Sequence, residues 1–440
     1  MKKLKAIVVG AGNRGQVYCD YSITKKDELE IIAAVDTEPL RLQECKTKYA
    51  IADNMLFSDL DEFLKRNIEC DFVINATMDK MHYESSMKLI GAGYNLILEK
   101  PITPTYGELE DIWNLATEKN VKVLVCHVLR YTPYYRTIKE LIDKGEIGRI
   151  FNIEMSEHVW IVHFLDSFVR GKWGNEKNCG SGFLLQKCSH DMDLMCWLNN
   201  ATKPVKVSSF GSRSHFIPKN APEGATEFCY QCPHNDTCLY SAQKVHLEQD
   251  MIPFQTWRGI DKPWQEITKE EKAEHLKHDN YGRCAYNAGG DIVDRQVVTV
   301  EFEDGTIATH NLVGGVTCDN RFIHIIGSDG EIYGHVNSGK FTVSHIDRSG
   351  NNYGPVHQEF DVSNLVQANN NGSYSGHGGG DYAIMHDAVR FFAGEGSSVS
   401  ITKLEDSIYG HVLVYAAEES RKEGRVINIA LSKGSFENNK

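Results

Sequence analysis

The run Lys5-Ala6-Ile7-Val8-Val9-Gly10-Ala11-Gly12-Asn13-Arg14-Gly15 constrains this chain most, because it reads as a buried strand running into a glycine-punctuated helix start. Gly10, Gly12 and Gly15 stand in a G-x-G-x-x-G pattern. The first glycine permits a tight turn, the second lets the backbone approach a pyrophosphate, and the third lets helix and strand pack closely. A second apolar run, Ile31 to Val35, ends on Asp36, about 20 residues further on, where a carboxylate can accept hydrogen bonds from an adenosine ribose. Glycine turns are common, but strand, glycines, helix, strand and acid in this order predict a dinucleotide site. Asp36 favours NAD, because its charge repels the 2′-phosphate of NADP; Arg41 is expected on the helix surface.

The remainder of the first 128 residues alternates strand and helix, as a parallel sheet requires. The strands Asp71 to Thr77, Tyr94 to Lys100 and Val121 to His127 alternate with helices near Met81 to Ala92 and Tyr106 to Asn120. Ligands gather at the carboxyl ends of such strands. The expected cofactor set is therefore Gly10, Gly12, Asn13, Arg14, Gly15, Asp36, Thr77, His82, Glu99 and Lys100. Beyond a helix near Tyr134 to Lys144 the pattern turns β-rich, at Ile150 to His158, Val205 to Ser212, Arg295 to Phe302, Thr306 to Leu312 and Phe322 to Gly327. Loops are expected at 280–294 and 369–380, and helices at Tyr382 to Phe392 and Asp406 to Lys422. The predicted class is α/β. A Rossmann domain (1–128) precedes an α+β domain (129–440) with an open, mainly antiparallel sheet and a cysteine-containing insertion near 213–294.

Of the 440 residues, 24% are charged and 41% hydrophobic, and the net charge is −13. That balance suits a soluble globular protein and argues against a nucleic-acid partner. No apolar run approaches the ~20 residues of a membrane helix. The apolar stretch after Met1-Lys2-Lys3 dies at Gly10 without a small-residue cleavage pattern, so a cytoplasmic protein without a membrane partner is expected.

Glu99-Lys100-Pro101 at a Rossmann strand end, with the glycine turn and a later histidine-bearing helix, resembles the Gfo/Idh/MocA family of glucose–fructose oxidoreductases, inositol dehydrogenases and rhizopine-catabolism proteins. The resemblance spans nearly the whole chain. It implies an NAD(P)-dependent dehydrogenase acting on the CH–OH groups of sugars or cyclitols, with a second-domain sheet used in homodimer or homotetramer contacts. Lys100 then matches the family's active-site lysine and His190 its helix histidine. The family's aspartate position, four residues before that histidine, holds Gln186. Lys187 shares a helix face with His190 and is a third catalytic candidate. A histidine titrating near neutrality suits removal of a hydroxyl proton, and a partly buried lysine suits the developing alkoxide.

Two further regions are dense in polar groups. The segment from His158 to Trp173 interleaves aromatics with polar tips, as a carbohydrate wall does, and offers His163, Arg170 and Trp173 as substrate contacts. Asp191 and His377, the latter in Gly376-His377-Gly378-Gly379-Gly380-Asp381, complete that set. Cys229-x2-Cys232-x5-Cys238 with the distant Cys284 has spacing that can bind a structural zinc, His234 being the competing fourth ligand. Three functions follow. The first is an NAD-dependent dehydrogenase of a sugar, glycoside or cyclitol. The second is a redox-neutral, NAD-dependent glycosidase working through a 3-keto intermediate. The third is a non-catalytic ligand sensor, against which the presence of Lys100 and His190 weighs.

Overall fold

The computed structural model describes residues 2–347, 349, 354–368 and 376–429. Six short apolar segments form the first sheet: β1 (Leu4–Val9), β2 (Leu29–Val35), β3 (Leu56–Phe57), β4 (Phe72–Asn75), β5 (Leu96–Leu98) and β6 (Val123–Val125). They lie in the order β3-β2-β1-β4-β5-β6, and every pair is parallel. Strands buried on both faces need covering on both sides. One side is closed by a core with Val8, Ile74 and Leu124, the other by one with Val9, Val73 and Leu98. The order reverses between β1 and β4, which opens a crevice at their carboxyl ends.

The second sheet has nine strands, β7 (Ile150–Trp160), β8 (Pro204–Ser212), β9 (Arg295–Phe302), β10 (Ile307–Val316), β11 (Asn320–Gly327), β12 (Gly330–His335), β13 (Lys340–Ile346), β14 (Pro355–Asp361) and β15 (Ile427–Asn428). Their order is β14-β13-β12-β11-β7-β10-β9-β8-β15, and only the central pair β7–β10 is parallel. β12, β13 and β14 follow β11 as a meander that the sequence reading did not separate. Their runs are short, and β14 is almost wholly exposed, so no apolar alternation marks it.

The helix Phe183–Leu198 joins the two halves. It is buried nearly all round, as an apolar helix inside a protein must be. The helix Leu404–Glu423 crosses it closely at Gly410, where a Cβ would sit 2.8 Å from the Asp193 backbone. A C-terminal helix, Gly380–Phe392, returns to the first sheet and puts Ile384, Met385 and Val389 into its core. Of the loop expected at 369–380, residues 369–375 lie outside the described residues. Among the described residues no helix is long and apolar enough to cross a membrane.

Candidate active site

The glycines of the first turn answer to different neighbours. Gly10 has φ +86°, and a Cβ there would lie 2.5 Å from the Ala76 carbonyl oxygen. A Cβ on Gly15 would lie 2.1 Å from the carbonyl oxygen of Gly10. Gly12, in contrast, has nothing within 4 Å of where its Cβ would be. The chain itself requires Gly10 and Gly15, whereas Gly12 borders open space that a ligand's phosphates can approach. The residues present thus fit a dinucleotide. Asn13 begins the following helix with its side chain exposed.

At the end of β2 the buried Asp36 accepts a hydrogen bond from the Glu38 backbone N–H at 2.9 Å. Arg41 is not a free surface residue: its Nη1 lies 3.3 Å from Asp36 Oδ1. A cation therefore partly neutralises the carboxylate that should repel a 2′-phosphate. Thr77, at the end of β4, donates to Asn75 Oδ1 at 3.0 Å. His82 is fully buried between the carbonyls of Pro101 (2.6 Å) and Thr77 (3.0 Å), so it ties two loops together rather than facing a ligand. Arg14 and Glu99, also in the expected cofactor set, are bound to other side chains of the chain. The Arg14 guanidinium is held by Asp381 at 2.7 Å and Glu99 at 3.4 Å, and Glu99 also accepts from Tyr18.

Lys100 follows β5, and its Nζ donates to the carbonyl oxygen of Gln186 at 2.8 Å. Burial holds the ammonium below its ordinary range, with Lys187 and Arg14 adding repulsion against Glu99 and Asp79. One turn along that helix, His190 is buried and held neutral, well below the usual histidine range, first by burial and then by the Lys100 charge. Its Nδ1 is buried without a hydrogen-bond partner. On its far side the His377 ring lies 5.9 Å away, centroid to centroid, held to Asp381 at 3.1 Å. Lys100, His190 and His377 thus lie close together.

Lys187 is near but committed: its Nζ pairs with buried Glu157 at 3.3 Å. Asp191, expected to face substrate, instead points into the second sheet and takes the Arg321 Nε at 3.1 Å, 3.8 Å from His310. The sequence reading missed this group, because Glu157 and Arg321 (2.6 Å apart) join only when β7 and β11 pair. Lys187 and Asp191 are four apart on the helix, so they share a face and reach this group together.

On the cleft wall, burial and the charges of Lys187, Arg321 and Lys100 push the His163 imidazole down to about 3. Trp173 donates Nε1–H to Asp79 at 3.2 Å and lies under Lys172, whose Nζ is 4.0 Å from its ring centre. Burial lowers Lys172 to about 8. Arg170 is a correction. It is 1% exposed and donates to the carbonyl oxygens of Arg283 (2.7 Å) and Tyr240, with Nη2 3.8 Å from Cys229 Sγ. It is held inside the insertion.

Cys229, Cys232, Cys238 and Cys284 line one cavity of about 20 Å³, and all four are free thiols. His234 borders it too, but its Nε2 is spent on the Glu223 carbonyl at 2.8 Å. The sulfurs are spread around the cavity: among the described residues, the three ligand atoms that lie within 4.8 Å of one another belong to Cys188, Asp191 and His310. That triad is buried, with Arg321 already on its carboxylate.

A model of the Gfo/Idh/MocA oxidoreductase family, described by its NAD-binding Rossmann fold, matches residues 4–127, and the model of the family's C-terminal α/β domain matches 139–429. The Bacillus subtilis (strain 168) protein YteT is 24% identical over 373 residues, 81% of each chain. IolW of the same organism, a scyllo-inositol 2-dehydrogenase (NADP(+)), is 27% identical over 212 residues, 48% of this chain and 56% of that one. The solved WlbA dehydrogenase from Bordetella pertussis, in complex with NADH and UDP-GlcNAcA, shares the fold at 16% identity and a TM-score of 0.66, over 98% of this chain and 99% of that one. With both halves matched and the glycine turn opening the first sheet, the chain belongs to the Gfo/Idh/MocA family of NAD-binding oxidoreductases.

Proposed function

We propose that this chain is a dehydrogenase that oxidises a secondary hydroxyl of a sugar, glycoside or cyclitol, with NAD preferred over NADP. The observation that carries the reading is the convergence of Lys100, held beside the Gln186 carbonyl, on a neutral His190 in a cleft whose cofactor end is shaped by Gly10, Gly12 and Gly15. When bound, the nicotinamide supplies the hydride acceptor, and the chain's own residues manage the proton. His190 has an unprotonated nitrogen ready to take the hydroxyl proton. The Lys100 ammonium steadies the oxygen as negative charge grows, an interaction strengthened by its burial. His163 and Trp173 line the substrate wall, and Lys187, balanced by Glu157, borders it.

Purified protein with NAD and a panel of free sugars, inositols and aryl glycosides tests this by reduced-nicotinamide absorbance. Steady growth with one of them is expected. The ring of His377 against His190 favours one second reading, in which a pyranoside is oxidised at C3, loses its aglycone and recovers the hydride. Aglycone release without net reduced cofactor would move the assignment there, and silence throughout would favour a ligand sensor.

We propose also that zinc staples the insertion through Cys229, Cys232, Cys238 and Cys284, whose sulfurs must draw closer than their spread positions to share it. Four free thiols share one cavity, and the buried Arg170 lies beside them with its Nη2 3.8 Å from Cys229 Sγ. A tetrathiolate site carries a net negative charge that suits such a guanidinium. The insertion's own apolar cluster is small, with Leu247, Trp257, Ile267 and Leu276 buried and Ile260, Ala273 and Tyr281 packed against them. Metal analysis of the purified chain should give one zinc per chain, and less than about a tenth of an equivalent would end the idea. The outer face of the second sheet exposes Phe210 (75%) beside its register partner Val297 (42%), and we take it as a contact between copies of the chain. Sedimentation as a monomer would remove that contact.

A further inference from the structure

Behind His190 lies a second imidazole that packing alone does not explain. His127 lies two residues past the end of β6, is 0% exposed, and finds no hydrogen-bond partner for Nδ1 or Nε2. Buried polar nitrogens are rarely left unmet, and each such group calls for a reason. The His127 ring stands edge-on to His190, with centroids 5.7 Å apart and planes at 77°. On its other side, Nε2 lies 3.7 Å from Asp193 Oδ1. That carboxylate is fixed by Arg130 through contacts of 2.7 and 2.5 Å. His411, 5.3 Å away between ring centroids, is already spoken for, because it accepts the Ile102 N–H at 2.9 Å. Burial first, and then the charges of Arg130 and Lys100, keep His127 neutral.

A neutral imidazole offers a lone pair on one nitrogen only, and the other carries the proton. For His190 to accept a proton from substrate through Nε2, its Nδ1 must be the protonated one. The family's aspartate position, which would ordinarily offer a carboxylate near this histidine, holds Gln186. We propose that His127 is the positioning residue of His190: it accepts a hydrogen bond from the His190 Nδ1–H through one bound water, while its own Nε2–H, 3.7 Å from the Asp193 carboxylate, is held toward that charge by attraction rather than by a formed hydrogen bond. The carboxylate thus comes from the third residue after His190, on the buried side of the same helix, and is relayed by a residue from the first sheet. Arg130 neutralises Asp193, so the chain sets tautomer and ring orientation rather than adding net charge. When His190 takes the substrate's proton on Nε2, its Nδ1–H remains bonded inward and the ring does not turn.

The dehydrogenase reading enters only through the effect on turnover; the tautomer is a property of the protein without substrate. Long-range proton–nitrogen spectra of the chain labelled with nitrogen-15 histidine, assigned with His190→Gln, read it directly. In the unmodified protein His190 should carry its proton on Nδ1. In His127→Phe the population should move toward Nε2–H, and in His127→Asn, whose Oδ1 stands near the lost Nδ1, it should return. If His127→Phe does not fold, His127→Gln places its amide at the Nε2 position and makes the same break. Finding Nε2–H in the unmodified protein, or Nδ1–H unchanged in the Phe or Gln variant, overturns the proposal. With any substrate turned over in the panel, the Phe variant should lose about 10²-fold in kcat while KM and dinucleotide binding hold. An unchanged kcat would overturn the proposal equally.

Discussion

The two ends of the cleft are made of different material. The cofactor end is backbone: Gly10 and Gly15 let strand, turn and helix close on each other, and Gly12 leaves open space beside them. The end we propose for substrate is made of buried and half-buried ionisable side chains, Lys100, His190 and His127, backed by the Glu157–Arg321–Asp191 group at the second sheet. A backbone cradle is insensitive to charge and to pH, and it fails only when a Cβ intrudes. A cluster of buried charges fails when one partner is removed, because the survivor is left uncompensated in a medium that solvates it poorly. Mutations at the two ends should therefore damage different observables.

The largest effect belongs to the substrate end. Lys100→Met keeps the length of the side chain and removes the ammonium, so kcat on any accepted substrate should fall by about 10³-fold. Dinucleotide affinity, set by the other end, should stay within about threefold on titration, since the backbone cradle is untouched. Loss of both together would mean that Lys100 holds the cradle's shape, and the division between the two ends would fall.

Next come two glycines three positions apart. Gly15→Ala drives a methyl to 2.1 Å from the Gly10 carbonyl oxygen, a backbone atom that cannot swing aside. It should destabilise the fold by about 2–4 kcal/mol in denaturant unfolding. Gly12→Ala meets nothing in the chain, so its stability should change by less than about 1 kcal/mol. Its dinucleotide affinity should nevertheless drop by about tenfold or more. Equal behaviour of the two variants would show that Gly12 does not face the cofactor.

The same contrast explains what the sequence made legible. A glycine pattern carries its geometric reason within a dozen residues, so the turn, Asp36 and the alternation of the first sheet could be read along the chain. Lys100 and His190 were reached through resemblance, and the structure brings them together. The partners that the sequence did not announce share one cause. Arg14 looked like a phosphate ligand until Asp381, 367 residues away, closed on it. Arg170 looked like part of a sugar wall until the chain near Tyr240 and Arg283 folded over it. Asp191 and Lys187 found Arg321 and Glu157 across strands whose pairing no local pattern announces. A charged residue's role depends on which opposite charge arrives, and that is decided by topology. His127 was visible as a strand end, but its orphaned nitrogens are a property of packing alone.

A smaller effect follows from the buried histidines. His411 is fully buried and held down to about 3, by burial first and by the nearby His127. Its folded pKa lies below the unfolded value near 6.5, so the unfolded chain binds the proton first as pH falls. The stability it contributes is complete above about pH 6.5 and is lost progressively toward pH 3, amounting to about 2 kcal/mol by pH 5. His411→Gln keeps an acceptor for the Ile102 N–H but cannot titrate. On going from pH 7 to pH 5 the variant should lose about 2 kcal/mol less than the parent in paired denaturant titrations. Taking the difference cancels Asp166, which is pushed up to about 7 by burial and therefore acts with the opposite sign. Parallel titrations for the two proteins would show that His411 is already protonated in the fold.

The smallest effect returns to the cofactor end, at its one charged position. Asp36 should accept the ribose hydroxyls of NAD, and with Arg41 only 3.3 Å away its repulsion of a 2′-phosphate is softened. Discrimination between NAD and NADP should then be modest, about tenfold, or about 1.4 kcal/mol. Asp36→Ser removes both the ribose acceptor and the repulsion while leaving Arg41 free to meet a phosphate, so the preference should invert. Arg41→Ala should act in the opposite sense, weakening NADP and leaving NAD unchanged. Fluorescence titration of both cofactors against the three proteins measures all of this. If Asp36→Ser leaves the ratio where it was, the carboxylate does not reach the ribose. The cofactor end would then be backbone throughout, and the difference between the two ends sharper than Asp36 suggests.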